Sequence, residues 1–215
     1  MNWQSVLWHE FCHVVTLNIT RNRMPRWLSE GISVYEERRA DVRWGERITP
    51  QYRQMMVEGK MKPIAELSSA FMAPPSGLHL QFAYYQSSLV VEFIIERFGL
   101  EKLQNILRDL GTGTPINDAL VAHTAPMKEL EKDFKDFAKG VAENMGKNNV
   151  WEKAKRDQDG EIDKAWAALH PENFWVVSEK AETLLDAGNV DEAVPLLEKS
   201  IEIYPAQTGA GSAYA

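Results

Sequence analysis

One cysteine, Cys12, among 215 residues leaves no partner for an internal disulfide, so packing must hold the fold. No apolar run reaches the roughly 20 residues that cross a bilayer, which excludes a membrane span of helical type. Lysine and arginine form no cluster, and the net charge is −7. That balance argues against nucleic acid as a partner. Glycine and proline are absent from residues 1–24, so nothing there breaks a helix. No signal peptide is legible. Any export signal would lie ahead of Met1, which leaves the compartment open. Hydrophobic residues make up 44% of the chain, enough for a core in one domain or two small ones.

What is present begins inside that unbroken stretch. His9-Glu10-Phe11-Cys12-His13 is an H-E-x-x-H motif, and Trp3, Leu7, Glu10 and Val14 around it keep helical spacing. On a helix, positions i and i+4 share one face, so both imidazoles can reach one metal ion. Glu10 is then placed to polarise a water in the metal's open position. A catalytic zinc takes three protein ligands, so a third is needed. The extended metzincin motif would require Gly at position 16 and His at 19. Thr16 and Ile19 stand there, which excludes that class. Cys12 points off the face of the two histidines and reads as a buried thiol rather than a ligand.

The third ligand is sought in Pro25-Arg26-Trp27-Leu28-Ser29-Glu30-Gly31-Ile32-Ser33-Val34-Tyr35-Glu36-Glu37. Pro25 suits the opening of a second helix after the polar link 18–23. Trp27, Leu28, Val34 and Tyr35 supply an apolar stripe to pack on the first helix. Glu30 lies seventeen residues after His13. A link of this length lets two antiparallel helices bring a carboxylate to a metal held by the first.

These two segments resemble the gluzincin metallopeptidases, the H-E-x-x-H…E group. The chain looks most like the peptidase-MA-like bacterial proteins that share the W-x-x-E-G-x-A-x-Y signature with the M1 aminopeptidases. Trp27, Glu30, Gly31 and Tyr35 match it, and Ser33 stands where alanine is usual. The resemblance implies that His9, His13 and Glu30 bind Zn2+ and that Glu10 is the general base. Glu36 and Glu37 are alternative third ligands by chemistry alone, and otherwise read as surface carboxylates or as groups behind the ligands. In the relatives, a tyrosine three residues before a small residue and fifteen before a helix-ending glycine donates to the oxyanion. Tyr84 meets both spacings, through Ser87 and Gly99, in a helix read over Gln81 to Phe98. Tyr85 is the reserve.

The chemistry implied is hydrolysis of a peptide bond by a metal-activated water, without a covalent intermediate. The resemblance also implies a β-sheet ahead of the zinc helix, whose edge strand would bind substrate backbone. The chain therefore reads as the C-terminal part of a peptidase domain, and the activity of this chain by itself is open.

Downstream, Thr49 to Glu58 and Pro63 to Phe71 read as short helices, 73–77 as a loop, and Trp44-Gly45-Glu46 as a turn. His79 reads as a surface histidine. Helices follow over Glu101 to Leu110, Ile116 to His123 and Met127 to Met145. From about Asn148 the character changes: Pro171 and Pro205 are 34 residues apart, the tetratricopeptide (TPR) period. Ala181, Leu184, Gly188, Ala193 and Leu197 fall at positions that resemble one TPR. The unit before it is degenerate, with Asp159 and Asp163 where apolar or small residues would sit. A third unit begins near Thr208.

The expected architecture is mainly α: zincin-type helices and a helical bundle over 1–147, then truncated TPR-like hairpins over 148–215. The expected partners are a peptide or protein substrate, and a protein partner at the TPR-like segment. A second function class is a catalytically inactive scaffold, favoured by Ser33. The Glu10 base favours hydrolysis, since a scaffold has no use for it.

Overall fold

Eighteen residues without a breaker make the first helix, α1 (Trp3–Thr20). The structure, a computed structural model, describes residues 3–41, 43–147 and 149–203. The chain divides into two compact units, Met1–Ala142 and Glu143–Ala215. Among the described residues it is mainly α-helical, with two isolated β-bridges in place of any sheet. The third repeat expected from Thr208 lies outside the described residues, as does Pro205, which closes the 34-residue period.

In the first unit, α1 ends without glycine. Arg21 and Asn22 take left-handed conformations (φ 51° and 58°), and the Asn22 amide donates to the Leu17 carbonyl at 2.9 Å, capping the last turn. Pro25 then precedes α2 (Arg26–Ala40), followed by α3 (Pro50–Val57). The stretch expected as one helix over Pro63 to Phe71 is a 3-10 turn (Ile64–Glu66) and one turn of α-helix, α4 (Ser69–Met72). Next come α5 (Gly77–Phe98), α6 (Leu100–Thr112), α7 (Ile116–His123) and α8 (Met127–Asn144). α5 begins four residues before the expected Gln81, because the Ser76 side chain accepts from the His79 amide and starts the helix at Gly77.

α5 is the centre of this unit. Tyr85, Leu89, Val90, Val91, Phe93 and Ile94 are all buried, on more than one side of the helix. A helix apolar all round is an interior helix. α2 packs along it and α1 packs on α2 and α6. Two glycines permit the closest approaches. A Cβ on Gly31 would lie 2.7 Å from the Ser87 carbonyl oxygen, and one on Gly111 would lie 2.6 Å from that of Ile19. α6 contributes Leu103, Ile106, Leu107 and Leu110 to the core, and α8 contributes Leu130, Phe134, Ala138 and Ala142. Phe93 meets Phe134 and Phe137 at ring distances of 5.6 and 5.5 Å.

α1 is held differently. It buries Cys12, Thr16 and Thr20, and its threonine hydroxyls donate back to the Cys12 and Thr16 carbonyls at 2.8 Å. Its apolar stripe looks outward: Trp3 is 70% exposed, Leu7 61%, Phe11 56% and Val14 65%.

In the second unit, α9 (Lys164–Leu169) is capped by Asp163, which accepts from the Trp166 amide at 2.8 Å. Asp157 accepts from the Asp159 and Glu161 amides in the turn before it. The acidic residues that interrupt the repeat pattern thus sit in a turn and a helix cap. α10 (Phe174–Asp186) and α11 (Val190–Ile203) pack together, joined through Gly188 at φ 77°. So short a link makes a helical hairpin.

Candidate metal centre

α1 and α2 carry the site between them. His9 and His13 lie one turn apart, their rings edge to face at 4.7 Å. Glu30, at the second turn of α2, sets its Oε2 3.2 Å from His9 Nε2 and 3.4 Å from His13 Nε2. The donor atoms of these three residues lie within 4.8 Å of one another. A tetrahedral ion with ligands at about 2.0–2.2 Å places neighbouring donors roughly 3.3 Å apart. The residues present fit such an ion in donor type and in spacing. His9, His13 and Glu30 are the group that could hold a metal among the described residues.

A second layer of contacts fixes the ligand faces. Glu37, buried on α2, holds its Oε1 2.6 Å from His9 Nδ1, while Ser5 donates to its Oε2. A carboxylate only accepts, so His9 Nδ1 carries a proton and Nε2 faces Glu30. His13 Nδ1 lies 2.8 Å from Ser29 Oγ and 3.3 Å from Ser33 Oγ, leaving its Nε2 toward the same point. Ser33 also donates to the His9 carbonyl at 3.2 Å. The serine that departs from the signature therefore ties α2 to the histidine helix. Side-chain partners that orient imidazoles in this way are the usual support of a metal site.

The electrostatics favour the charged forms of His9 and Glu30. Burial lowers the His9 imidazolium, but hydrogen bonds and charge from Glu30 and Glu37 outweigh it and push the group up to about 9. Burial would raise the Glu30 carboxyl, yet His9, His13 and Arg26 bring it below its ordinary value. Cys12 is a buried thiol, pushed up to about 11 by burial and by Glu36 and Glu37.

The other sequence-derived residues fall as follows. Glu10 is exposed on α1, on the outward stripe with Leu7 and Val14. Tyr84 is half-buried on α5, and its hydroxyl accepts from Arg26 Nη2 at 3.0 Å, while Arg26 Nε donates to Glu30 Oε1 at 3.2 Å. Tyr85 is buried and stacks on Tyr52 at 5.3 Å. Glu36 pairs with Arg39, and His79 with Ser76 at the start of α5. Sequence reasoning weighed Glu37 without assigning it to His9, and missed Arg26, Ser5 and Ser29. Helical spacing holds the missing signal: Glu37 and Ser33 lie seven and three residues beyond Glu30, on the same side of α2.

Among curated proteins and among solved structures, nothing matches the chain. Residues 1–140 match the family model of the Peptidase MA superfamily. That span contains both helices of the candidate centre and most of the first unit, and the chain belongs to the Peptidase MA superfamily.

Proposed function

We propose that the chain carries the catalytic centre of a zinc-dependent peptidase of gluzincin type, acting on peptide or protein substrates. The observation that supports this most is the donor set of His9, His13 and Glu30, whose spacing suits a tetrahedral ion. When bound there, zinc acidifies a water and polarises the substrate carbonyl. The protein's own groups do the rest. Glu10 takes the proton from the attacking water and returns it to the leaving amine. Tyr84 donates its hydroxyl proton as a hydrogen bond to the oxygen on which charge develops. The hairpin α10–α11 reads as a TPR-like unit and supplies a place for a protein partner.

The test is metal content of the purified chain by elemental analysis, beside Glu30→Ala, with peptide-library hydrolysis compared between the parent and Glu10→Gln. One zinc per chain is expected, lost or much weakened in Glu30→Ala, with hydrolysis abolished and zinc retained in Glu10→Gln. A folded chain that takes no zinc when supplied with it would overturn the reading and leave an interaction module.

A further inference from the structure

We propose that Arg26 is the positioning residue of the centre: its guanidinium turns one oxygen of Glu30 away from the metal position and leaves the Tyr84 proton free for substrate. The inference rests on the zinc-peptidase reading above.

Arg26 opens α2, where a cation is disfavoured by the helix dipole. The first turn holds no acidic residue, and Pro25 provides no side-chain cap. Arginine ahead of glutamate at i,i+4 is also the weaker order for a helical ion pair. The helix by itself has little use for this residue. Arg26 instead joins Glu30 on its own helix to side chains on two further elements, α4 and α5. Nε donates to Glu30 Oε1 at 3.2 Å, and Nη2 donates to Tyr84 on α5 at 3.0 Å. The guanidinium lies over the Phe71 ring at 5.5 Å, and Phe71 meets Tyr84 edge to face at 5.2 Å. A planar fork seated on a ring is held in one orientation although its side chain is 58% exposed.

Two consequences follow from donor and acceptor counting. Oε1 is engaged by Arg26, so Oε2 alone faces His9 and His13, at 3.2 and 3.4 Å. Glu30 then offers one oxygen, and a three-ligand ion keeps a position for water. A guanidinium has no acceptor. The Tyr84 hydroxyl therefore cannot donate to Arg26, and its proton is available in another direction.

The experiment uses the full chain and three variants, Arg26→Ala, Arg26→Lys and Tyr84→Phe. Zinc affinity is read by chelator competition, and coordination by the visible absorption of the cobalt-substituted protein. In Arg26→Ala, zinc affinity should fall about tenfold, the size seen when a group orienting a ligand is removed. Its cobalt band should weaken as Glu30 swings to two-oxygen coordination. Arg26→Lys should resemble Arg26→Ala, because an ammonium cannot bridge Glu30 and Tyr84 as a fork does. Tyr84→Phe should keep the parent's affinity and spectrum and lose turnover, and adding Arg26→Ala to it should cost less turnover than in the parent. An Arg26→Ala protein with unchanged affinity, spectrum and turnover would overturn the inference. So would full rescue by lysine, which would reduce the role to charge alone. If the parent itself takes up no zinc, the peptidase reading fails and carries this inference with it.

Discussion

His9 is held from both ring nitrogens by carboxylates, Glu37 on one side and Glu30 on the other. In the metal-free protein this favours the imidazolium, which persists up to about pH 9. The sign is that of a raised histidine. Its contribution to stability is fully present below the unfolded value near 6.5 and is lost as pH rises through about 9. On the zinc reading proposed above, the ion would need the same Nε2 without its proton, so proton and metal would compete. Apparent zinc affinity should therefore rise about tenfold per pH unit from neutrality and level off near 9. Chelator competition across that range measures it, and a flat profile would rule out His9 as the competing group. Glu37 can be separated from this effect by Glu37→Gln, which keeps the shape and removes the charge. Affinity should drop about 10–100-fold, the range for groups behind a metal ligand. An unchanged constant would mean the 2.6 Å contact does not orient His9.

Between α2 and α5 the backbones meet at Gly31 and Ser87, with no room for a Cβ. Because Glu30 is the neighbour of Gly31 and Tyr84 lies one turn from Ser87, that crossing sets the distance between the two halves of the site. Gly31→Ala should cost about 1–3 kcal/mol, as over-packing does. Urea unfolding checks this, and a loss within error would show that the crossing can relax. The pairing of α2 with α5 was only half legible in the sequence. Trp27, Leu28 and Val34 announce an apolar side of α2, and all three are buried. Nothing local says that Gly31 meets Ser87, because a close approach is a property of two segments distant in sequence. The same holds for Arg26, whose helix neighbours predict its contact with Glu30 but not with Tyr84. The caps were overlooked although their signals are local. Ser76 starts α5 earlier than its apolar periodicity suggests, and Asp163 in the second unit is a cap rather than a misplaced core residue. On α1 the spacing of Trp3, Leu7 and Val14 identifies a helix but not its inner side, since those residues face out and the threonines face in.

Across the molecule, the first unit is unevenly secured. α5 buries eleven of its 22 residues, whereas α1 buries three of 18 and leaves its largest side chains exposed. Both histidines of the centre belong to the loosely held helix, and Glu30 belongs to one packed against the best-held. Expressed as time, α1 should open and close many times while α5 stays shut, so its amides exchange hydrogen with solvent first. A bound ion spanning His9, His13 and Glu30 would couple the two clocks. At a free zinc concentration about 100 times the dissociation constant, α1 exchange should slow by up to about 100-fold while that of α5 stays the same. Hydrogen-exchange mass spectrometry with and without zinc reads this directly, and equal rates in α1 and α5 without metal would refute it. A helix so lightly packed would then owe its residence on the fold to the ion it helps to hold.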